Sequence, residues 1–297
     1  MNIRATLDHS SRPRYLMCPP RHFAVTYSIN PWMDPKAWAE TSLTLYPVAA
    51  RQWEGLHLAL TRHGAVIEKV EPAIGLPDLV FTANAAVVLD GKALLTRFRH
   101  PERRGEEPIY ASAFHSLKER GLIEQVIEMP EGTALEGAGD CIWDSDRSLF
   151  WMGYGFRSDF AASAVVERTF GVECVPLELA NPSYYHLDTA FCPLPDGGVI
   201  YYPGAFTTEA LAEIEARVEP AYRIPLDAKD AGHFAANAAV LGMVVVLSSA
   251  SDRLRRALFA RGYTVVETPL TVFQKSGGSA CCLTLRLDRR ALVTASR

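Results

Sequence analysis

The chain has 297 residues, of which 48% are hydrophobic and 22% charged, a composition typical of a folded globular protein. The net charge of −4 offers no basic surface to a nucleic acid, and no stretch approaches the ~18 apolar residues of a membrane span. Residues 1–14 lack the apolar core of a secretion signal. We therefore expect a cytoplasmic protein that binds neither nucleic acid nor membrane.

The predicted elements repeat in one order along the chain, a helix followed by a strand. The first helix begins at Asp34-Pro35, an N-cap followed by proline at the first helical position, and runs to Gly64 with a break expected near Pro47. The strand AVIEKV follows it. The other four pairs are YASAFHSLKERG with LIEQVIEM, DFAASAVVERTFG with VECVPL, TEALAEIEARV with AYRIPL, and SDRLRRALFARG with YTVVETPL.

Pairs of strands with turn signals lie between these helices, so each unit predicts a small ββαβ sheet. The strand pairs are VFTANAAVVL-DG-KALLTR, CIW-DSD-RSLFWMG, TAFCPLP-DGG-VIYYPG and NAAVL-G-MVVVLSS. The fifth unit has only CCLTLRL at the C-terminal end. We expect an N-terminal strand, within RYLMCPP or HFAVTYS, to complete it, because a closed ring hides the strand edges. The five units predict one domain spanning residues 1–297.

A polar or reactive residue opens the first strand of every unit. Two units are near copies, FTANAAVV from Phe81 and FAANAAVL from Phe234. Separations of 56, 48, 49 and 45 residues fall in the range of stacked repeats. If the strand starts face a common axis, their side chains converge on one pocket, as in an enzyme. These strand-start residues are Asn84, Asp140, Asp188, Asn237 and Cys282.

Three of the reactive residues together are typical of nucleophilic catalysis. Cys282 follows the loop KSGGSA, whose glycines allow close approach of a ligand and leave backbone N–H groups for a developing charge. His186 has Asp188 two residues on, and on a strand the two would share a face. Glu136 lies beside a glycine-containing turn. Taken singly, a histidine among aromatic residues is more often structural, and a cysteine in an apolar strand is usually core.

The other cysteines carry no signal of a metal or disulfide site. No CxxC pair or Cys/His spacing typical of zinc is present, and no GxGxxG or P-loop follows a strand. We expect most of the six cysteines to be small buried hydrophobic residues. We predict no metal, nucleotide or flavin cofactor.

The motifs PDLVFTAN, LEGAGD, HLDT and GG-x-x-x-C-L-T resemble those of the guanidine-modifying superfamily. This superfamily has the pentein fold and includes arginine deiminases, dimethylarginine dimethylaminohydrolases and amidinotransferases. The resemblance covers essentially the whole chain. It implies an α/β fold, a five-bladed α/β propeller of ββαβ units, and a small guanidino compound as substrate.

The resemblance also implies roles for individual residues. Cys282, followed by Leu283-Thr284, matches the nucleophile, and Cys281 is its neighbour. His186 matches the general acid/base. The positions that match substrate-binding residues are Glu136 and Asp188 for the guanidinium, Asp78 as a further substrate-holding acid, Arg103 and Arg157 for the α-carboxylate, and Ser276 and Asn30. The plain alternatives are solvated surface arginines and, at Asn30-Pro31, a turn.

Two positions depart from the common superfamily pattern. EGAGD has one residue more than the usual EGGD, which puts the place of Asp140 in question. Asn84 stands where deiminases and methylarginine hydrolases generally carry aspartate. Together with CPPRHFAVTYSINPWM, this asparagine resembles the arginine dihydrolase subgroup, which converts arginine to ornithine, two ammonia molecules and CO₂.

Three classes of function stay open at this point. The first is an arginine dihydrolase, and the second is a related deiminase, dimethylarginine hydrolase or amidinotransferase that uses the same cysteine. The third is a binding protein without catalysis. Product analysis with and without an amine acceptor separates the first two classes, and ligand protection of the thiol without turnover would indicate the third. The sequence leaves the oligomeric state open, and a homo-oligomer is compatible with it.

Overall fold

The computed structural model describes residues 12–291. Most of residues 1–14, which were inspected above for a secretion signal, lie outside the described residues. The described chain forms five three-stranded sheets. In each sheet the middle strand has one antiparallel and one parallel neighbour. This is the predicted ββαβ arrangement.

The strands and helices follow the predicted order. The strands are β1 (Arg14–Met17), β2 (Val66–Lys69), β3 (Ala86–Leu89), β4 (Lys92–Leu95), β5 (Gln125–Ile127), β6 (Cys141–Asp144), β7 (Leu149–Tyr154), β8 (Cys174–Glu178), β9 (Phe191–Pro193), β10 (Val199–Tyr201), β11 (Arg223–Pro225), β12 (Ala239–Leu241), β13 (Val244–Leu247), β14 (Thr264–Glu267) and β15 (Leu285–Arg286). The helices are α1 (Pro35–Arg62), α2 (Pro101–Arg104), α3 (Glu107–Glu119), α4 (Gly137–Asp140), α5 (Ala162–Phe170), α6 (Thr208–Arg217), α7 (Ala228–Gly232) and α8 (Asp252–Ala260). None of the helices in residues 12–291 is both long and apolar enough to cross a membrane.

Helix α1 begins as predicted but does not break at Pro47. The Asp34 side chain accepts a hydrogen bond from the Ala37 backbone N–H and caps the helix. Pro47 lies on the exposed face, where water can solvate the carbonyl that loses its intrahelical partner. Buried residues on both sides of the proline, such as Trp38 and Trp53, anchor the helix to the core. The expected break is therefore wrong.

The fifth sheet closes the ring with the N-terminal strand. Strand β1 pairs antiparallel with β15 and parallel with β2. The segment RYLM supplies this strand, while HFAVTYS contains no strand. The turn residues also agree with the sequence: Asp90 and Gly91 between β3 and β4 have φ values of 51° and 75°, as a tight hairpin turn requires.

Hydrogen bonds join the five strand starts, through these residues or their neighbours in sequence, into a closed circuit. Asn84 donates to the Glu136 carbonyl in the second unit at 3.1 Å. Asp140 accepts from the Leu187 N–H in the third unit at 3.1 Å. The circuit continues from Asn237 to the Asp188 carbonyl, from the Cys282 N–H to Asn237, and from the Ala83 N–H to the Cys282 carbonyl. All five residues are buried, and these bonds link each unit to the next, as the predicted ring requires; convergence of the five side chains on one pocket stays a prediction.

Candidate active site

Cys282 lies in the turn before β15 and contacts two polar side chains. Its Sγ is 3.1 Å from Asp188 Oδ2 and 3.0 Å from Asn237 Nδ2. The thiol is 2% exposed. The neighbouring Cys281 is half-buried and lines a different cavity, together with Tyr15 and Thr284. Of the two cysteines, Cys282 therefore has the contacts expected of a nucleophile.

Burial sets the protonation of the Cys282–Asp188 pair. It raises the pKa of the Cys282 thiol well above its ordinary value, and the Asp188 charge raises it further. Burial also raises the pKa of Asp188 to about 7. The second carboxylate oxygen, Asp188 Oδ1, is buried and has no hydrogen-bond partner within residues 12–291. It can accept a hydrogen bond from a substrate N–H group, and a cationic group bound there would favour the thiolate.

A second buried pair consists of His186 and Glu136, supported by Arg157. Glu136 Oε2 is 2.7 Å from His186 Nε2 and accepts a hydrogen bond from Arg157 at 2.9 Å. Burial alone would raise the pKa of Glu136, but the Arg157 cation and the His186 hydrogen bond hold it well below its usual range. Burial lowers the pKa of His186 to about 4. Because ionised Glu136 can only accept, Nε2 carries the proton of the neutral imidazole and Nδ1 is left as a base.

The expected pairing of His186 with Asp188 is wrong. Residues Leu187–Thr189 form a 3-10 turn rather than a strand, so spacing by two does not place the side chains on one face. Asp188 contacts Cys282 and His186 contacts Glu136 instead. Both residues belong to the site, in different pairs.

Asn84 is held by a buried ion pair. Its Oδ1 accepts a hydrogen bond from Arg103 at 2.8 Å, and Arg103 also bonds both carboxylate oxygens of Glu106 at 2.9 and 2.7 Å. Burial raises the pKa of Glu106 to about 7. Glu106 was not predicted as a site residue, although a buried arginine in HPERRGEE needs an acid within reach. Contact between Arg103 and a substrate carboxylate stays a prediction.

The remaining predicted binding residues connect the N-terminal segment to the loop before Cys282. Asp78 accepts hydrogen bonds from Ser276 at 3.0 Å and Tyr27 at 2.8 Å. The Asn30 side-chain NH₂ donates to the Ser276 carbonyl at 3.1 Å, and its side-chain oxygen accepts from the Trp32 backbone N–H at 2.9 Å. Asn30 therefore both forms a turn with Trp32 and contacts the loop before Cys282. Sequence patterns gave no signal for Tyr27.

Tyr185 brings these groups together. Its hydroxyl donates to the Gly277 carbonyl at 2.9 Å, and the Arg157 guanidinium lies 4.4 Å from its ring centre. Burial raises the pKa of Tyr185 strongly, and Cys282, Asp78 and Asp188 raise it further. The predicted nucleophile, acids and arginine thus surround one side chain. The predicted binding of a substrate carboxylate by Arg157 stays a prediction, because its N–H groups bond Glu136 and the Ile29 carbonyl here.

Asp140 has a positioning role despite the extra residue in EGAGD. It lies at the end of α4, fully buried, where Ser158 donates to one carboxylate oxygen at 2.6 Å and the Leu187 N–H to the other at 3.1 Å. The Leu187 contact fixes the turn that carries His186 and Asp188. Asp140 thus acts on the site through the backbone N–H of Leu187, which lies in the next unit of the ring.

The two glycines before Cys282, Gly277 and Gly278, allow close packing of their neighbours, and their backbone N–H groups are already hydrogen-bonded. The N–H groups of Gly277 and Gly278 bond backbone carbonyls of the preceding turn, so the expectation that they await a developing charge is wrong. A Cβ on Gly278 would lie 2.4 Å from the Phe81 ring. Gly277 has φ +85°, and a Cβ there would lie 2.6 Å from the Tyr185 hydroxyl. In the described part of the chain no group of three or more His, Cys, Asp or Glu residues is arranged to hold a metal ion.

The fold and this site together define a pentein-type protein of the guanidine-modifying class. A sequence model described as N,N-dimethylarginine dimethylhydrolase, eukaryotic, matches residues 26–289, and the chain belongs to this family. The resemblance seen in the motifs and the five-bladed α/β propeller are confirmed.

Curated relatives carry two kinds of activity in their names. The bifunctional arginine dihydrolase/ornithine cyclodeaminase AgrE of Nostoc sp. is 43% identical over 278 residues, which are 94% of this chain and 38% of AgrE. The N(G),N(G)-dimethylarginine dimethylaminohydrolase of Mycobacterium tuberculosis is 40% identical over 274 residues, which are 92% of this chain and 85% of the relative. The chain therefore spans well under half the length of AgrE.

A solved structure matches at similar identity. The N-terminal domain of ArgZ, an arginine dihydrolase, was crystallised as a cysteine-to-serine mutant bound to its substrate. It superposes on this chain with a TM-score of 0.86 and 40% identity, and the match covers 94% of this chain and 100% of that domain. The full-length ArgZ of Synechocystis sp. is, like AgrE, a bifunctional arginine dihydrolase/ornithine cyclodeaminase, and 38% of its length is matched.

Proposed function

We propose that residues 1–297 form one catalytic domain, a cysteine-dependent hydrolase of the guanidino group of L-arginine. The products are ornithine, ammonia and CO₂, and the reaction needs no cofactor. The observation that carries the proposal is the contact between the buried Cys282 thiol and Asp188, whose second oxygen is free to accept from a guanidinium. The other partners we expect are copies of the same chain, in the cytoplasm.

The first half of the reaction forms a thiouronium intermediate. A guanidinium bound at Asp188 and Glu136 brings a positive charge next to Cys282, which favours the thiolate over the thiol. Sγ bonds the guanidino carbon, and one C–N bond breaks. The leaving nitrogen departs as ammonia after His186 delivers the proton taken from the thiol. Water activated by His186 then displaces the sulfur and gives citrulline.

The second half repeats the attack on a neutral urea. Sγ bonds the carbonyl carbon of citrulline, ammonia departs, and a carbamoyl thioester is left on Cys282. Water releases the carbamate, which decomposes to ornithine and CO₂. Asn84 suits both substrates because its amide has one donor and one acceptor position left after bonding the Glu136 carbonyl and Arg103. An aspartate would favour the cationic guanidinium over the neutral urea.

The test is product analysis after incubation of the purified chain with L-arginine in metal-free buffer. We expect ornithine and two ammonia molecules per arginine from the wild type and from Cys281→Ser, and none from Cys282→Ser. The Cys281→Ser control separates loss of the nucleophile from loss of a neighbouring thiol. Citrulline as the final product would make the chain a deiminase instead.

Hydrolysis of dimethylarginine is the second candidate, favoured by the family model and by the Mycobacterium tuberculosis relative. It uses the same Cys282, His186 and Asp188 but releases dimethylamine and stops at citrulline. Incubation with asymmetric dimethylarginine, followed by measurement of dimethylamine, distinguishes it from the first proposal. Amidino transfer is tested in the same assay by adding an amine acceptor.

A further inference from the structure

Asn237 is buried beside the nucleophile, in the unit that copies the one containing Asn84. It lies at the end of the turn before β12, is 0% exposed, and stands in FAANAAVL at the place that Asn84 has in FTANAAVV. The two asparagines face different groups. Asn84 contacts the Arg103 side chain and the Glu136 backbone, whereas Asn237 contacts Cys282 directly.

Four hydrogen bonds use the whole capacity of the Asn237 amide. Its Nδ2 donates to Cys282 Sγ and to the Asp188 carbonyl, each at 3.0 Å. Its Oδ1 accepts from the backbone N–H groups of Ser279 and Cys282, each at 3.1 Å. A flipped amide would set NH₂ against two N–H donors, so the network itself determines which end faces the sulfur.

Apart from the Ser279 backbone N–H, which lowers the pKa of Cys282, the groups around Cys282 Sγ disfavour a thiolate. Its titratable neighbours include Asp188, Cys281 and Tyr185, and each is neutral or negative. Burial and the Asp188 charge both raise the pKa of the thiol. The Asn237 N–H is the one side-chain donor within hydrogen-bond distance of this sulfur in the described structure. It stabilises negative charge on Sγ without adding a charge of its own.

We propose that Asn237 is a catalytic residue that stabilises the Cys282 thiolate, both as it attacks and as it leaves the intermediate. Its carbonyl oxygen simultaneously fixes the backbone of the turn Ser279–Cys282, so the donor and the sulfur are held by one rigid amide. The stabilisation of the thiolate does not depend on the substrate, but the catalytic role rests on the function proposed above.

The variant Asn237→Asp removes donation to the sulfur, keeps support of the turn and adds a negative charge, so the uncharged Asn237→Ser is measured beside it. A carboxylate keeps an acceptor for the Ser279 and Cys282 N–H groups but faces Sγ without a donor. A matched control is Asn181→Asp, because Asn181 also accepts from a backbone N–H, that of Ser183 at 3.0 Å, outside the candidate site. The two substitutions make the same chemical change in the two places.

The measurement is the rate of iodoacetamide alkylation of Cys282 against pH without substrate, read by mass spectrometry of the peptide that carries it. For Asn237→Asp we expect the profile to move to higher pH and the rate near neutral pH to fall about 10- to 100-fold, the range for hydrogen bonds to charged groups. Asn181→Asp should match the wild type. Asn237→Ser, whose shorter side chain lacks the amide donor and adds no charge, should move the profile in the same direction, which attributes the displacement to the lost donor.

An alkylation profile identical to that of the wild type in a folded Asn237 variant would overturn the proposal. In turnover assays we expect kcat to fall about 100-fold, as for the loss of one preorganised donor, with a smaller change in KM. If arginine is not the substrate, the wild type will show no turnover while the alkylation difference persists. Failure of the proposed function is therefore distinguishable from failure of the role of Asn237.

Discussion

At the scale of single residues, the site gives two of its carboxylates opposite properties. Glu136 contacts Arg157 and His186, and these hold its pKa well below the usual range despite burial. Asp188 has no cationic partner among the described residues, and burial raises its pKa to about 7. Glu136 is thus a permanent charge, whereas Asp188 can change protonation near neutral pH. Such a division is typical of enzymes that use neighbouring acids for different tasks.

Substitution Asn84→Asp should change the product of the reaction. The carboxylate replaces a donor to the Glu136 carbonyl with an acceptor and strengthens the attraction to Arg103. It also favours the cationic substrate over the neutral intermediate. We expect the ratio of citrulline to ornithine to rise about 10-fold or more, the value of one charge-assisted hydrogen bond. Chromatography of the amino acids formed from arginine measures it, and an unchanged ratio would refute the role given to Asn84.

His186 predicts how stability depends on pH. Its pKa of about 4 in the folded protein lies below its ordinary 6.5, so the unfolded chain binds the proton more readily and stability is lost as the pH falls from 6.5 towards 4. Asp188 and Glu106, each with a pKa raised to about 7, contribute in the opposite direction. Both residues are present in the wild type and in a His186 variant, so their contributions to stability cancel when the two proteins are compared.

The comparison is between the wild type and His186→Asn in thermal unfolding at several pH values. We expect the melting temperature of the wild type to fall relative to that of the variant by several degrees between pH 7 and pH 4.5, at about 2–4 °C per kcal/mol for a chain of this size. A difference that stays constant with pH would mean that His186 is not buried in its neutral form.

Sequence patterns predicted residues that lie together in the structure, but not their hydrogen-bond partners. His186, Asp188, Glu136 and Cys282 were all predicted, because glycine-rich turns and polar strand starts are visible in a sequence. The pairing of His186 with Asp188 failed because two-residue spacing has its meaning only on a strand, and the backbone there is a 3-10 turn. Partners distant in sequence, such as Tyr27 for Asp78, need the fold before they can be recognised.

At the scale of elements, the short helix α4 sets the distance between the first two units. Gly139 in this helix packs against the Asn84 side chain: a Cβ would lie 2.2 Å from Asn84 Nδ2 and 3.5 Å from His186 Nδ1. Gly139, rather than the Asp140 side chain, thus lies next to Asn84. The helix positions both the Asn84 amide and the turn with His186.

Substitution Gly139→Ala should displace Asn84 and reduce activity. We expect turnover to fall about 100-fold, since a misplacement of about 1 Å at a reacting group has this effect. Gly232→Ala is the matched control, because Gly232 also lies in a short helix but has open space within 4 Å of the position that a Cβ would take. Steady-state rates of both variants, with circular dichroism to confirm folding, check the prediction. Full activity of Gly139→Ala would contradict the placement of α4.

Elements were predictable where local chemistry decides them. The hairpin at Asp90-Gly91 and the N-cap at Asp34 follow from residues within the turn itself. The continuity of α1 through Pro47 was not predictable, because it depends on tertiary packing of apolar residues on both sides of the proline. The choice of RYLM over HFAVTYS for β1 likewise depends on which segment reaches β15.

At the scale of the whole molecule, the ring depends on one strand from the N-terminal part of the chain. Strand β1 is the middle strand of the fifth sheet, and Thr82 from the next unit bonds the Leu16 carbonyl at 2.8 Å. The turn that carries Cys282 comes directly before β15, so the pairing of β1 with β15 also positions Cys282. A sequence period predicts such closure but not which edge strand completes it.

Leu16→Ala should therefore destabilise the whole propeller at once. Leu16 is 1% exposed, and removal of a buried leucine side chain costs about 2–5 kcal/mol of unfolding free energy. Urea unfolding followed by tryptophan fluorescence and by circular dichroism should show the same single, shifted transition. Leu43→Ala is the control, since Leu43 is 88% exposed and should change stability by less than about 0.5 kcal/mol. Separate transitions for the two signals would argue against a cooperative ring.

The most direct test of the central claim is to trap the covalent intermediate. Wild-type protein is mixed with L-arginine, quenched in acid during turnover, and digested for mass spectrometry. We predict an adduct of the substrate on the peptide with Cys281 and Cys282, localised to Cys282 by fragmentation and still present in Cys281→Ser. An adduct on Cys281 alone, or formation of ornithine by Cys282→Ser, would contradict catalysis by Cys282.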